Sequence, residues 1–560
     1  MLRKHTAAVW QERTSENEEL WDINSREFPT SVVFFSFIHQ EQHNKKLNLL
    51  FYLPQRKHKA VLNMRFTQIV AAALCLGATE AAVAPIDRAR KVLGNQHAFD
   101  KRDASGDTAK APKHLTSKNK KFYVDPNSIP GVPFDIGESY AGNLANTPAG
   151  NSSLFFWYFP SENPEAKNEI TIWLNGGPGC SSMIGLLQEN GPFLWQPGTD
   201  GPVKNPYAWS KLTNMVWVDQ PAGTGFSPGP PTVKDEIDVA NQFSDFWKNF
   251  MDTFDLHHSD VYLAGESYAG QYIPYIASGM LDRKDSEYFN VQGITIIDPS
   301  IGATEVIIDA PSVPALHRFN NIIDLNETFV NDITKKWESC GYKKFMDDAL
   351  KFPPAGPMTV PGKSAGCDVW DEIIAAVKEV NPCFNIYHLR DNCPSPSNVM
   401  NGPKNFFNNK QIQEAIHAHP TDYRLCGESQ IFGPHRNDRS VPSSYGPLAS
   451  VIERTNNTII AHGDLDFLLF TEGSLASIQN MTWGGLQGFQ KEPSDKFYVP
   501  YKDGSEVGGA GFVGKTHRER GLTWVTVDLA GHEIPQYAPT AAYRMLEYML
   551  GRVQSLTETH

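Results

Sequence analysis

Ten residues, Val261-Tyr-Leu-Ala-Gly-Glu-Ser-Tyr-Ala-Gly270, constrain this chain more than any others. An apolar strand-forming run ends in a sharp turn that carries one serine. The apolar, small-residue run YIPYIASGM follows and reads as a helix. A strand that turns directly into a helix lifts the turn residue above the sheet, and the crowding demands small flanking residues. Gly265 lies two residues before Ser267 and Ala269 two after it, where glycine is more usual; Gly270 follows at once. Taken alone, the pattern also fits an ordinary loop serine. Its meaning depends on whether an acid and a histidine stand at the ends of later strands.

The N-terminal region reads as three pieces. Residues 1–63 are charged, with one short SVVFFSF run and no periodicity. They are expected to be a spurious or disordered extension, with Met64 as the initiator. Met64 opens MRFTQIVAAALCLGATEAAVAP, in which one arginine, a short apolar run and small residues make a secretory signal over 64–84. A cytoplasmic tail with a signal anchor at 66–84 is the competing reading; Glu80 and the short apolar core disfavour it. Residues 85–121 are polar, contain the dibasic pair Lys101-Arg102, and are expected to be a propeptide or disordered lead. Export follows from this reading, to the exterior or alternatively to a vacuole, without a stable membrane anchor.

The cysteines agree with export. Of seven, Cys75 falls within the signal, leaving Cys180, Cys340, Cys367, Cys383, Cys393 and Cys426, an even set whose pairing the spacing leaves open. No CxxC or His-Cys cluster suggests a metal, and nothing in the sequence asks for a cofactor. Asn151, Asn326, Asn456 and Asn480 head glycosylation sequons. The net charge of −13 disfavours nucleic acid or an anionic membrane as partner.

Strands are expected at 153–159, 170–174, 215–218, 261–264, 293–298, 457–461 and 522–528. Residues 233–254 read as an amphipathic helix whose stripe of Phe243, Phe246, Trp247, Phe250 and Phe254 belongs to a core. The strand at 170–174 runs into Asn175-Gly-Gly-Pro-Gly-Cys-Ser-Ser182, whose glycine N–H groups are able to approach a developing oxyanion. The strand at 215–218 ends in the Pro- and Gly-rich DQPAGTGFS. Helical pieces at 369–379 and 410–419 and a closing helix at 538–555 complete the reading. Helices alternating with parallel strands predict an α/β-hydrolase fold, a mostly parallel central sheet flanked by helices. Its core comprises residues 122–302 and 441–556, interrupted by a largely helical, disulfide-pinned cap over 303–440.

Ser267, Asp466 and His532 each stand just past an expected strand, in the Ser…Asp…His order of that fold. A serine hydroxyl needs an imidazole to take its proton, and the imidazole needs a carboxylate to fix its tautomer. Singly, His532 is one of 17 histidines and Asp464 or Asp466 a turn cap; together they indicate nucleophilic catalysis.

Four motifs in order, WLNGGPGCSS (173–182), GESYAG (265–270), GDLDF (463–467) and AGHEIP (530–535), resemble the serine carboxypeptidases, most nearly the secreted acid enzymes of filamentous fungi. The resemblance runs from about Phe122 to the last helix. It implies Ser267 as nucleophile, Asp466 as orienting acid and His532 as base, with the N–H groups of Gly177 and Tyr268 as oxyanion hole. It implies that Asn175, Gly176 and Glu266, with Glu189 beside Glu266, grip the terminal carboxylate of a peptide or protein. It places Glu533, Tyr268 and Leu469 in side-chain pockets and pairs Cys180 with Cys426. The implied reaction is removal of C-terminal residues in acid through an acyl-enzyme. An esterase or acyltransferase on the same scaffold, a non-catalytic binding protein and an endopeptidase are the competing readings; the carboxylate clamp and the complete triad argue against them. The oligomeric state is not legible.

Overall fold

Short apolar runs whose side chains alternate between two cores set the architecture. The computed structural model describes residues 46–51, 60–65 and 111–559, apart from 363, 392, 394–398, 401–404, 428–430, 434–436 and 502–508. The chain divides into two units, Met1–Thr108 and Ala109–His560. In the first, Lys46–Phe51 pairs antiparallel with Ala60–Arg65, a ribbon where the sequence predicts no element. The remainder of the expected signal, Cys75 and the Lys101-Arg102 pair lie outside the described residues.

Among the described residues, the second unit is built on an eleven-stranded sheet. In chain order its strands are β1 Tyr123–Val124, β2 Ser139–Ala145, β3 Ser153–Phe159, β4 Glu169–Leu174, β5 Asn214–Asp219 and β6 Asp260–Glu266. They continue with β7 Val291–Ile297, β8 Thr458–Gly463, β9 Asp495–Val499, β10 Gly511–Glu519 and β11 Leu522–Val527. The order across the sheet is β9-β10-β11-β8-β7-β6-β4-β5-β3-β2-β1. Strands β11 through β5 pair in parallel, while both borders are antiparallel.

Along β4, Ile170, Ile172 and Leu174 enter one core and Trp173 the other; along β6, Val261 and Leu263 oppose Tyr262 and Ala264. Sheets covered on both faces bury such runs completely. The first core holds helix α1, Glu236–Phe254, with the whole expected aromatic stripe, and helix α2, Ala269–Asp282.

Strands β4 and β6 are neighbours, whereas β5 lies on the far side of β4. The chain therefore reverses its progress across the sheet between them, and a crevice opens outside their C-terminal ends. The loops after β4, β6, β7, β8 and β11 all emerge at that end.

Helices α3 Ala310–Ile323, α4 Glu327–Ser339, α5 Tyr342–Ala349 and α6 Val369–Val380 form the inserted cap around a third core. Disulfides Cys340–Cys367 and Cys383–Cys393 lie in this stretch, and Cys180–Cys426 ties the loop after β4 to the segment beyond it.

Several expectations need correction. The cap does not extend to 440 as one body: Met400, Phe406, Phe407, Ile412, Ile416 and Tyr423 pack into the second sheet core, because their aromatic and aliphatic side chains fill the space beside Phe226. The helix expected at 410–419 is only α7, Lys410–Ala415. The closing helix is α8, Pro539–Met549, with left-handed Gly551 just beyond its end. The lead is anchored before Phe122: the N–H groups of Lys113 and His114 donate to Glu138, both at 2.8 Å, and Lys118 pairs with Asp255. That anchoring uses backbone amides and charge, so composition did not reveal it. Strands β9 and β10 were not anticipated.

Candidate active site

Ser267 occupies the turn between β6 and α2 with φ of +63°, a left-handed conformation that non-glycine residues rarely adopt. Hydrogen bonds hold it there: Ser267 N–H donates to Ile297 O at 2.9 Å, and Ser300 and Gly270 N–H donate to Ser267 O, both at 2.9 Å. The sequence permits this because a Cβ on Gly265 would run into Leu174 O and crowd Ala269. Strain at a site over-determined by its surroundings marks function.

His532 sits in the loop after β11. Its Nδ1 lies 2.7 Å from Asp466 Oδ2, and both residues are buried. Asp466 Oδ1 accepts from Leu468 N–H at 2.8 Å and Leu469 N–H at 3.3 Å. These bonds fix the carboxylate and, through it, the imidazole. Asp464, the other aspartate of the motif, pairs instead with Arg318. Burial pushes the His532 pKa down, but the charge and hydrogen bond of Asp466 outweigh it and the net shift is upward. From the cap, Tyr387 packs its ring 5.0 Å from that of His532, and its backbone carbonyl accepts the His532 backbone N–H at 2.8 Å. Nothing in the sequence pointed to Tyr387.

The loop after β4 lies against the serine turn. A Cβ on Gly176 would strike the Tyr268 nitrogen, so only glycine allows this approach. Tyr268 precedes the first turn of α2, where backbone N–H groups have no partner within the helix. Three features hold the loop. Asp219 accepts from Ser181 Oγ at 2.7 Å, Ser182 N–H at 2.8 Å and Phe226 N–H at 2.8 Å, which joins it to the DQPAGTGFS loop. Tyr272 OH accepts Gly179 N–H at 3.1 Å. The Cys180–Cys426 disulfide closes the far side.

Beside the serine stands a buried polar cluster. Asn175 Nδ2 donates to Glu266 Oε1 at 2.8 Å and to Glu189 Oε1 at 3.2 Å. The Asn175 oxygen accepts from Trp173 Nε1 at 2.8 Å and Gly185 N–H at 3.1 Å, which fixes the amide orientation. Glu266 and Glu189 are buried and Glu533 is half-buried at the cleft wall, and each keeps one carboxyl oxygen that takes up no N–H donor among the described residues. Burial raises the pKa of all three; the charges of Glu189 and Glu533 add to the rise at Glu266, and that of Glu533 to the rise at Glu189. Carboxyls so placed share protons rather than ionising together. Glu533, expected only as a pocket residue, is thus also the third member of this cluster.

Ser267, His532, Gly177, Tyr268, Asn175, Gly176, Glu266 and Glu533 line one open cleft of about 1320 Å³. Glu189 lies behind Asn175, and Asp466 behind His532. Leu469 departs from expectation: it is buried in the cap core, and Leu468 faces the cleft. One end of the cleft is walled by Tyr268, whose OH donates to Asp438 at 2.8 Å. Of the sequons, Asn151, Asn326 and Asn456 are exposed. Asn480 is half-buried, with its amide bonded both ways to the Met358 backbone, which disfavours a glycan there.

Among the described residues no helix is long and apolar enough to cross a membrane. Comparison with known proteins then places this geometry. Residues 130–552 match the serine carboxypeptidase family. A probable serine carboxypeptidase of Arthroderma benhamiae is 49% identical over 470 residues, covering 79% of this chain and 89% of that protein. The serine-type carboxypeptidase F of Aspergillus niger is 41% identical over 475 residues, with the same coverage of each chain. The crystal structure of a prohormone-processing carboxypeptidase from Saccharomyces cerevisiae superposes with a TM-score of 0.63 at 23% identity, covering 79% of this chain and 99% of that one, and so shares the fold. With the family matched over most of its length and two relatives well above 30% identity, the chain belongs to the serine carboxypeptidases.

Proposed function

We propose that Ser267, His532 and Asp466 are the catalytic triad of this carboxypeptidase, and that Asn175, Gly176 and Glu266 bind the free C-terminal carboxylate of a peptide or protein. His532 takes the proton of Ser267 as the hydroxyl attacks the last peptide bond, then gives it to the departing amino acid. The N–H groups of Gly177 and Tyr268 receive the oxyanion. Water, activated by the same imidazole, cleaves the resulting acyl-enzyme.

One observation carries this reading: a cluster of three carboxyls, two of them buried, and an oriented amide stands beside the serine in the cleft. An ionised Glu266 would repel a substrate carboxylate; a protonated one donates a hydrogen bond to it. Binding is therefore favoured in acid and weakens as pH rises through the elevated Glu266 pKa. The triad sets the opposite limit, because His532 must lose its proton to act as base. The enzyme works between the two. Secretion, supported by the signal-like segment at 64–84 and the even cysteine set, is the proposed destination.

Purified protein incubated with a peptide mixture in mildly acidic buffer should shed C-terminal residues stepwise, read by mass. Ser267→Ala should abolish this, and C-terminally amidated peptides should resist. Cleavage of amidated peptides at internal bonds, or of esters lacking a carboxylate in preference to peptides, would replace the reading with an endopeptidase or an esterase.

A further inference from the structure

Asp298 is the residue immediately after β7, next to β8, whose loop carries Asp466. Two carboxylates thus stand at the ends of adjacent parallel strands. Asp298 is fully buried and held at φ of +40°, in the left-handed region. Both its oxygens take up the single N–H of Gly463, at 3.0 and 3.1 Å, while Gly463 O accepts Asp466 N–H at 3.2 Å. The charge of Asp466, the nearest acid acting on it, adds to burial in pushing the Asp298 pKa well up.

Among the described residues no lysine or arginine is paired with Asp298, and His532 bonds to Asp466 rather than to it. His462 Nδ1 is 3.2 Å from Asp298 Oδ1 but not in hydrogen-bonding geometry, and burial holds the His462 pKa down at about 3, so that ring is neutral. Glu533, another acid, also pushes the Asp298 pKa up. Two neighbouring carboxyls in a dry interior cannot both ionise cheaply. Asp466 keeps the charge, because it receives two backbone N–H groups and faces His532. Asp298 receives one N–H and, among the described residues, pairs with no lysine or arginine.

We propose that Asp298 is a positioning residue of the catalytic centre, a neutral carboxylic acid that donates a hydrogen bond to Asp466 and so weakens the grip of Asp466 on the protonated imidazole. Burial and the charge of Asp466 both favour the protonated form of Asp298. The consequence lies in acid. Asp466, Glu533 and Glu189 all favour protonated His532, which would shut the base off as pH falls. A hydrogen bond drawing charge from Asp466 opposes that, and keeps His532 available as base further into acid.

The inference rests on the triad reading, and the variants separate the two. In Asp298→Ala, kcat for a peptide should fall about ten- to hundredfold on the acid limb only, the displacement of about one to two pH units expected from losing one hydrogen bond to a charged group, and should be kept at the plateau above it. KM should stay within about twofold, since Asp298 does not line the cleft, and the acid limb of kcat should move to higher pH. Asp298→Asn should restore most of the loss, because its amide still donates to Asp466 and its oxygen still accepts Gly463 N–H. Superimposable pH profiles for Asp298→Ala and the parent, or an Asn variant as impaired as the Ala variant, would overturn the proposal. If Asp298→Ala does not fold, infrared spectroscopy decides: Asp298→Asn should lose one buried protonated-carboxyl band near neutral pH, and no loss refutes the proposal. Full activity in Asp466→Asn would instead remove the triad reading and this inference together.

Discussion

Asn175 donates one amide to Glu266 at 2.8 Å, with Glu189 on its other side, so the acid at the mouth of the serine turn never stands alone. Replacing Glu266 by Gln fixes a neutral donor at that position. The KM of a peptide should then lose its rise with pH, while kcat changes little. Steady-state kinetics across the acid-to-neutral range reads this, and an unchanged KM profile would contradict the clamp.

Asp466→Asn should lower kcat about 10⁴-fold, because the amide favours the wrong imidazole tautomer. KM should change little, since Asp466 lies behind His532 and away from the cleft. Active-site titration with a serine-directed phosphonate should slow in parallel.

Gly176→Ala tests the close approach of the loop to the serine turn. The added methyl would run into the Tyr268 nitrogen, so activity should fall sharply. The melting temperature should fall much less, since the loop lies at the sheet end rather than within its core. Comparable losses in both would show that Gly176 matters to folding more than to the oxyanion site.

The carboxyl cluster should also appear in stability. Glu189 and Glu266 have folded pKa values raised above the ordinary value of 4.5, mainly by burial. The native state therefore binds protons more tightly than the unfolded chain, and its advantage is complete in acid and lost as pH rises through those elevated values. His462, buried neutral, acts in the other direction below the ordinary histidine range. The clean readout is a difference: Glu189→Gln should gain melting temperature relative to the parent as pH rises. A constant difference would mean that Glu189 does not titrate in this window.

Removing the Cys180–Cys426 bond in a double Ser variant should cost about 2–5 kcal/mol. It should also lower kcat, since Cys180 belongs to the loop that abuts the serine turn. Chemical denaturation and peptide kinetics on the same preparation would separate the two effects.

The residues that act at strand ends were the most legible, because a parallel sheet puts its loops at one end and the four motifs each follow an apolar run. Asp466 and His532, at the ends of their strands, are hydrogen-bonded, and His532 shares one cleft with Ser267; alternation along β4 and β6 revealed the two cores. Other features depend on distances across the fold. The partner of Cys340 could not be told from spacing, nor could the choice of Leu468 over Leu469 at the cleft, which turns on one residue of register. Glu533 read as a pocket residue beside the histidine, because its closeness to Glu189 and Glu266 comes from folding far-apart segments together. The β9–β10 hairpin escaped notice since its partly exposed strands lack the buried apolar run of a parallel strand. Residues 399–432 read as cap because Pro- and Asn-rich loops mask the apolar side chains that reach the sheet.

The borders of the sheet carry a last consequence. On one side the ladder ends in β1, two residues long, with the preceding segment stapled to Glu138. On the other it ends in β9, where Asp495 and Lys496 are exposed. Short or charged margins are poor templates for another chain's backbone. Such margins disfavour edge-to-edge pairing of this wide sheet with a neighbouring molecule.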